Sequence, residues 1–329
     1  MPRELTLADI FQLGYYWESK ILLTAVSLDV FSAIGQDGAT AADLAARLGA
    51  NERTLELLLN ALVAMRALNK DGDRFRNTSV GATYLDRSSR DYVGDLLRLH
   101  DAEWHHWAEL ERAVRTGHSP VKRHLFETDP ERGVQVLAVL DRIGRHSGPE
   151  LAKRLNLEDA TTLLDLGGGA GTNAIACCRI YPGLSATVFD LPETLKTTAR
   201  SVQEAGLSSR ISLLPGDFNR DRLGGPYDTI LMADVLHYQG PGANAALVQK
   251  ASTHLNPGGR LIIKDRFLDP TRTSPAWATA FAVHILVNTE EGRCYTVAEA
   301  TGWMQQAGLT SVTELEPTAV VQGTARRTS

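Results

Sequence analysis

The stretch "LLDLGGGAGTNA", residues 163–174, decides the fold. Its apolar run ends at Asp165, as a buried strand ends at the edge of a sheet, and a cluster of glycines follows before a helical pattern begins. Glycine accepts a positive φ without strain and lets a ligand lie directly against the main chain. A strand, a glycine-rich turn and a helix in this order predict the first unit of an α/β domain with a ligand site at the turn.

The same rhythm of strand, loop and helix continues to the end of the chain. Near-continuous apolar strands alternating with helices are typical of a parallel sheet covered on both faces, so we predict a Rossmann-like, doubly wound α/β domain over residues 156–329. Residues 311–327 are typical of a terminal hairpin, which would add an antiparallel strand at the sheet edge. The predicted strands lie within 161–166, 186–191, 211–218, 227–236 and 259–268.

A second acidic residue indicates the type of ligand. Asp190 closes the next predicted strand, about twenty residues after the glycine turn, where a carboxylate accepts hydrogen bonds from both hydroxyls of a ribose. "GAGTNA" within the turn also satisfies the pattern G-x-G-x-x-A of dinucleotide sites. These residues predict an adenosine-containing cofactor and leave two candidates open, nicotinamide adenine dinucleotide with an oxidoreductase function and S-adenosylmethionine.

The first part of the chain has a different pattern. Apolar residues at helical spacing over 8–35 predict amphipathic helices, and residues 38–78 predict a winged helix. Thr40 and Asn51 are candidate N-caps, Gly49 is a helix stop, and Asp71-Gly72 marks the tip of the wing. We therefore predict a mostly helical winged-helix domain over 1–95 and a helical linker over 96–155, ahead of the α/β domain.

A winged helix is often a DNA-binding module, which would make the protein a ligand-sensing regulator. The candidate recognition helix, residues 52–68, offers Arg53 and Arg66 against Glu52 and Glu56, and is otherwise mostly apolar. Binding to phosphates needs a basic face, which this helix lacks. We expect this domain to pack and dimerise instead.

Bulk composition narrows the class of partner. The net charge of −5 gives no global attraction to nucleic acid or to an anionic membrane, and no apolar run approaches the length of a membrane span. The N-terminus has no secretory pattern, and the adjacent Cys177 and Cys178 fit reduced core thiols better than disulfides. We expect a cytoplasmic protein whose partners are small molecules.

His100, His105 and His106 have no second pair at ligand spacing, so packing or pocket lining is favoured over a zinc site, and we expect no metal.

Two further motifs combine with the pattern of the glycine turn. The turn is acid-x-Gly-x-Gly-x-Gly over 165–171, Gly216-Asp217-Phe218 follows the third strand, and "LNPGGRLII" at 255–263 introduces the fifth. With these motifs the chain resembles, over nearly its whole length, the class I S-adenosylmethionine (SAM)-dependent O-methyltransferases of the plant caffeate type and bacterial secondary-metabolite type. That resemblance implies an N-terminal winged-helix dimerisation domain, a homodimer, and methylation of a hydroxyl on a small aromatic metabolite.

The resemblance also assigns residues to the cofactor and its product S-adenosylhomocysteine (SAH). The glycine turn would face the methionine part, the acid after the second strand the ribose, and the Asp-Phe after the third strand the adenine. Arg145 corresponds to an arginine that bacterial members place near the cofactor carboxylate, although a solvated helix charge explains it equally well. The implied cofactor residues are Arg145, Asp165, Gly167, Gly169, Asp190, Leu191, Gly216, Asp217, Phe218 and Ala233.

His237 in "ADVLHYQG" is the candidate general base. A lone histidine at a strand end is more often structural, but the resemblance places a catalytic base at this position and an orienting acid at Asp265. A phenol with a pKa near 10 is a weak nucleophile at neutral pH, and an imidazole with a pKa near 6.5 can take its proton. The candidate substrate-binding residues, several of them at helical spacing, are Trp104, Trp277, Phe281, His284, Asn288 and Cys294.

The chain departs from the family pattern around this histidine. Tyr238-Gln239 stands where plant members have Asp-Trp, Cys294 replaces a second acid, and Val139-Leu140 replaces Ala-Met. His284 and Asn288 also indicate a more polar substrate than a simple phenylpropanoid. These departures leave open methylation of carbon or nitrogen, or a reaction that uses the bound sulfonium without methylating.

Overall fold

The computed structural model describes residues 4–121 and 129–327, except for the side chains of Pro130 and His146. The chain divides into two compact units, Met1–Trp104 and His105–Ser329. The predicted linker, 96–155, therefore has residues in both units, and its status as a separate segment stays a prediction.

The first unit is mostly helical and carries one small sheet. Its strands form an antiparallel sheet in the order β1-β3-β2. Its elements are α1 (Leu7–Gly14), α2 (Trp17–Ser27), α3 (Val30–Ile34), β1 (Ala39–Thr40), α4 (Ala41–Leu48), α5 (Glu52–Ala64), β2 (Leu68–Asp71), β3 (Arg74–Asn77), α6 (Ser79–Tyr84) and α7 (Gly94–Ala102).

The winged helix is confirmed, together with the residues that delimit it. Thr40 caps α4 by accepting a hydrogen bond from the Asp43 backbone N–H (3.1 Å), and Asn51 caps α5 through its side-chain oxygen. Gly49 ends α4 with a φ of 63°, in the left-handed region that glycine adopts without strain. The helices and the wing enclose a core that includes Phe31, Leu44, Leu59, Leu62 and Phe75.

The first helix has no buried residue, although its sequence is rich in apolar side chains. Leu7, Ile10, Phe11 and Leu13 are all more than half exposed. An apolar face of this kind on a folded unit is typical of a surface that another chain covers.

The second unit contains the α/β domain. Helix α8 (Trp104–Ala108) begins at the last residue of the first unit. The remaining elements are α9 (Leu110–Thr116), α10 (Pro130–Leu155), β4 (Thr162–Leu166), α11 (Thr172–Ile180), β5 (Ser185–Asp190), α12 (Pro192–Glu204), β6 (Ile211–Pro215), β7 (Tyr227–Ala233), a 3₁₀ turn (Leu236–Tyr238), α13 (Pro241–Ser252), β8 (Leu255–Lys264), α14 (Ala276–Asn288), α15 (Val297–Gln306), β9 (Thr310–Glu316) and β10 (Val320–Thr324).

The sheet of this unit has seven strands in the order β6-β5-β4-β7-β8-β10-β9. The first five are parallel, as predicted, and apolar clusters lie on both faces. The terminal hairpin is also confirmed, and its second strand, not its first, joins it to the parallel strands. Strand β10 pairs antiparallel with β8, and β9 pairs with β10 and forms the outer edge.

All three cysteines, Cys177, Cys178 and Cys294, are buried free thiols. Within the described ranges, no helix combines the length and the apolar character that a membrane span requires.

Candidate active site

A cleft of about 820 Å³ lies at the carboxyl ends of the parallel strands. The strand order reverses between the neighbouring strands β4 and β7, since the chain runs from β4 toward one edge and from β7 toward the other. Ligands of open α/β sheets bind at such a switch point. Eight of the ten predicted cofactor residues line this cleft: Gly167, Gly169, Asp190, Leu191, Gly216, Asp217, Phe218 and Ala233. Helix α10 adds side chains that sequence analysis did not assign, among them Leu137 and Ser147.

The glycine turn presents bare backbone to the cleft. Gly167, Gly169 and Gly171 have φ values of 71°, 56° and 81°, which only glycine adopts readily. A Cβ atom on Gly167 would lie 2.7 Å from a methyl group of Val235, so close packing also excludes a side chain there. This part of the wall suits a ligand that lies against the main chain.

Asp190 closes the turn from the next strand. Its carboxylate accepts hydrogen bonds from the backbone N–H groups of Gly169 (2.8 Å) and Leu191 (2.7 Å). Burial raises the pKa of Asp190, and these hydrogen bonds oppose the rise. The side chain is therefore held in one position at the cleft, where its remaining acceptor sites suit the hydroxyls of a ribose.

The loop after β6 supplies the third contact region of the cleft. Asp217 accepts a hydrogen bond from the Asn219 backbone N–H (2.8 Å), which tightens the loop. The Lys250 ammonium donates to the carbonyl oxygen of Phe218 (2.9 Å) from α13. These contacts hold the backbone of the loop that places Asp217 and Phe218 on the cleft wall.

Asp165 lies beneath the cleft and does not line it. It is fully buried; one carboxylate oxygen accepts a hydrogen bond from the Ala174 backbone N–H (3.1 Å), and the other has no partner among the described residues. Burial, with a smaller contribution from the charge of Asp190, raises the pKa of Asp165 to about 7. A Cβ atom on Gly168 would lie 2.8 Å from the Asp165 carboxyl carbon, so this acid supports the turn from below.

Arg145 is absent from the residues that line the cleft. Its guanidinium pairs with the carboxylate of Asp141 (2.6 Å), which also accepts a hydrogen bond from Thr172 (2.5 Å). The arginine borders a smaller groove of about 250 Å³ on the outer side of α10 and α11. Its assignment to the cofactor stays a prediction, because Asp141 and not Arg145 reaches the cleft.

His237 lies in the 3₁₀ turn that follows β7, and its Nδ1 atom is 2.7 Å from Oδ1 of Asp265. Asp265 directly follows β8, the neighbouring parallel strand. Its carboxylate also accepts hydrogen bonds from the backbone N–H groups of Leu236 (3.0 Å) and Arg266 (2.7 Å). The predicted catalytic pair is therefore brought together, with His237 only 2% and Asp265 only 4% exposed.

The protonation of this pair follows from its surroundings. Burial opposes ionisation of Asp265, but the neighbouring His237 and Arg266 and the hydrogen bonds they donate outweigh it and lower the pKa of Asp265 below its usual value. An ionised carboxylate only accepts hydrogen bonds, so Nδ1 of His237 is the donor. In the neutral imidazole the lone pair is then on Nε2.

Several side chains hold the turn that carries His237. The Asn244 side-chain amide donates to the carbonyl oxygen of Leu236 (2.9 Å), and the Tyr295 hydroxyl donates to the carbonyl oxygen of Gln239. A Cβ atom on Gly292 would lie 2.3 Å from the carbonyl oxygen of His237, so this glycine permits the close approach of the loop behind the turn. Sequence analysis missed all three residues, because none belongs to a local motif.

An ionic cluster beside the catalytic pair was also missed. Asp234, the first residue after β7, adopts a left-handed φ of 57°, and its carboxylate pairs with both the Lys264 ammonium and the Arg266 guanidinium. Asp234 and Lys264 line the cleft. Charged residues at the ends of both strands are visible in the sequence, but which of them pair depends on the register of β7 and β8.

Helix α14 forms an aromatic wall against His237. The Trp277 and Phe281 rings stack at 5.0 Å, and Phe281 contacts the His237 imidazole edge to face at 5.1 Å. His284 follows on the same helix, 5.6 Å from Phe281, and Asn288 hydrogen-bonds to Nδ1 of His106 (2.6 Å). Four predicted substrate residues therefore lie on one helix next to the candidate base.

The two other predicted substrate residues lie elsewhere. Trp104 belongs to the first unit, where its ring packs against Tyr16 at 5.8 Å and the Lys20 ammonium lies over it. Cys294 is buried with Leu268 behind Phe281, and burial, followed by the charge of Asp265, raises the pKa of its thiol to about 12. Their contact with substrate stays a prediction.

Comparison with known proteins identifies two matched regions. Residues 107–310 match the model of an O-methyltransferase domain, and residues 11–87 match an O-methyltransferase dimerisation domain. The chain is 33% identical to the tetracenomycin polyketide synthesis 8-O-methyltransferase TcmO of Streptomyces glaucescens, over 92% of this chain and 91% of that protein. It is 30% identical to the N,N-dimethyltransferase OxyT of Streptomyces rimosus, over 79% and 78%.

A solved structure extends the comparison to a bound cofactor. Human N-acetylserotonin methyltransferase, in complex with SAM, superposes with a TM-score of 0.83 and 25% identity, over 99% of this chain and all of that one.

The raised pKa of Asp165 predicts a pH-dependent effect of removing its charge. The pKa of about 7 lies above that of an aspartate in the unfolded chain. The contribution of Asp165 to the free energy of unfolding is therefore fully present below about pH 4, and it is lost as the pH rises to 7. Asp165→Asn should therefore stabilise the apoprotein relative to wild type, by on the order of a few kcal/mol at pH 8 and clearly less at pH 5. Thermal unfolding at both pH values measures the difference.

Asp159→Asn is the matched control, because it makes the same change at an exposed position of the same unit. An effect of Asp165→Asn that is equal at pH 5 and pH 8 would show that Asp165 is ionised throughout this range.

Proposed function

The chain belongs to the family of SAM-dependent O-methyltransferases, and we propose that it methylates a hydroxyl group of a small aromatic secondary metabolite with His237 as general base. The observation that carries the proposal is the buried pair of His237 and Asp265 (Nδ1 to Oδ1, 2.7 Å), beside the cleft and under an aromatic wall.

The residues of the cleft fit the cofactor of this family. Asp190 would hold the ribose hydroxyls, the bare turn at Gly167 and Gly169 would face the methionine part, and Asp217 with Phe218 would border the adenine. A volume of about 820 Å³ lies within the range of roughly 300–1,000 Å³ that is usual for small-molecule sites. When bound, SAM supplies an electrophilic methyl group on a sulfonium.

His237 prepares the acceptor. Nε2 carries the lone pair and takes the proton of the acceptor hydroxyl, while Nδ1 remains hydrogen-bonded to Asp265. The imidazolium that forms lies against a buried carboxylate, which stabilises its charge without any rearrangement of the protein. Asp265 acts as a positioning residue, since it fixes the tautomer and the orientation of the ring.

The aromatic wall excludes water from the base. His237 is enclosed by Phe281 at 5.1 Å and Tyr238 at 4.4 Å, so an acceptor reaches Nε2 only when one of these rings moves aside. Attack of an oxyanion on a sulfonium neutralises both charges, and an apolar, dry pocket favours such a transition state. A flat aromatic acceptor fits this wall because it can take the place of a displaced ring.

We propose that the reaction needs no metal ion. Among the described residues, one group of three side chains has metal-ligating atoms close enough together, Asp234, His237 and Asp265. Lys264 and Arg266 occupy the oxygens of Asp234, and Nδ1 of His237 is bonded to Asp265. Two cations beside the group also repel a metal, so we expect activity to survive exhaustive chelation.

Methylation of nitrogen is the second candidate function. The similarity to a protein named as an N,N-dimethyltransferase favours it, as does the replacement of the usual Asp-Trp by Tyr238-Gln239. An amine that is already nucleophilic needs positioning but no base at His237. The dependence of the rate on His237 separates the two functions.

We also propose that the chain acts as a homodimer through its first unit. This unit carries the matched dimerisation domain, and α1 presents an apolar face without a buried residue. Light scattering should give a mass of about twice 35.8 kDa, and Ile10→Asp with Leu13→Asp should shift the protein toward the monomer. A wild-type monomer at micromolar concentration contradicts this proposal.

Replacement of the base tests the proposed chemistry. His237→Ala should lower kcat by roughly 10²–10⁴, because general base catalysis is lost, and leave the affinity for SAH nearly unchanged. Asp265→Asn should lose less, because the imidazole remains but is less well oriented. Methyl transfer to a hydroxyarene and calorimetric titration with SAH provide the measurements.

His118→Ala, at an exposed position of the same unit, is the matched control. If His237→Ala keeps nearly full activity and binds SAH normally, His237 is not the base and methylation of nitrogen becomes the better account.

A further inference from the structure

Arg266 packs against the aromatic wall beside His237, although no motif predicts it. Its guanidinium carbon is 4.8 Å from the centre of the Trp277 ring and 4.7 Å from that of Phe281. Phe281 also contacts His237 at 5.1 Å. One aromatic ring therefore touches both the base and a positively charged group.

Only part of the Arg266 guanidinium is hydrogen-bonded to the described residues. Its Nη1 atom donates to Asp234, whereas Nε and Nη2 donate to no other described residue. The side chain is 31% exposed. Arginine is the side chain best suited to bind a carboxylate, because its planar fork of N–H groups matches the two oxygens.

The ionised groups beside the base cancel one another, apart from the charge that the cofactor brings. The carboxylates of Asp234 and Asp265 balance the charges of Lys264 and Arg266 while His237 is neutral. Bound SAM adds one net positive charge, because its ammonium and carboxylate cancel and its sulfonium remains. An acceptor with one ionised group is complementary in charge to the sulfonium and to Arg266.

We propose that Arg266 recognises a carboxylate on the aromatic acceptor, so that the enzyme selects acidic hydroxyarenes. A flat acceptor on the wall of Phe281 and Trp277 presents its hydroxyl to His237 and its carboxylate to Nε and Nη2 of Arg266. The proposal rests on the function inferred above, and it adds the chemical class of the substrate and the residue that selects it.

Binding of matched ligands tests the selection without turnover. The probes are hydroxynaphthoic acids, with the hydroxyl and the carboxylate at different ring positions, and their neutral carboxamides. Each is titrated calorimetrically into SAH-saturated protein at pH 7.5. At least one acid should bind wild type roughly tenfold more tightly than its carboxamide, as a charge-assisted hydrogen-bond pair provides. Arg266→Met should bring this ratio close to one, and Arg266→Lys should keep part of it.

Arg272→Met is the matched control, because it removes a guanidinium from the loop that follows β8, where it pairs with Glu299 of α15 (3.3 Å). It should keep the full ratio, and all variants should bind SAH like wild type. A ratio near one in wild type, a ratio that survives Arg266→Met, or binding by none of the acids overturns the inference.

Failure of the role of Arg266 can be distinguished from failure of the proposed function. If neutral hydroxyarenes are methylated in a His237-dependent way and acids are not preferred, only the role of Arg266 fails. If the preference for acids depends on Arg266 but His237→Ala remains active, the role of His237 as general base is refuted and the role of Arg266 is supported.

Discussion

The buried carboxylate of Asp265 ties the catalytic turn to the sheet. It accepts three hydrogen bonds, one from the imidazole of His237 and one each from the backbone N–H groups of Leu236 and Arg266. A buried charge is costly unless it is paired, and three donors make this burial tolerable. The pairing in turn fixes the ring of His237, its tautomer and the path of the chain after β7.

The register of the sheet creates this geometry. Ala233 of β7 lies opposite Lys264 of β8, so the residues that follow the two strands meet above the same edge. Asp265 thereby reaches His237, and Asp234 reaches both Lys264 and Arg266. A slip of one residue would turn these side chains to the other face and dismantle the catalytic pair and the ionic cluster together.

Much of the site could be predicted from sequence, because its parts follow strands whose carboxyl ends must converge. The glycine turn, Asp190, His237 and Asp265 are all of this kind, and their positions need only the order of the strands. The cluster around Asp234 could not be predicted in this way, because it depends on the register of β7 and β8 and on a left-handed backbone at one residue.

Other differences also have physical causes. The terminal hairpin was predicted, but local periodicity does not show that β10 lies next to β8 while β9 forms the edge. The sequence did not show which group pairs with the guanidinium of Arg145, and in the structure this group is the Asp141 carboxylate. Cys294 is buried and packs with Leu268 and Phe281, and its contact with substrate stays a prediction.

The tautomer of His237 tests the account most directly. Nitrogen NMR of histidine-labelled protein, assigned with His237→Gln, distinguishes a protonated ring nitrogen from one with a free lone pair. The account predicts that the neutral imidazole carries its proton on Nδ1 and has an unprotonated Nε2, and that Asp265→Asn weakens this preference. A wild-type imidazole with its proton on Nε2 would contradict the account, because that atom could then only donate to the acceptor.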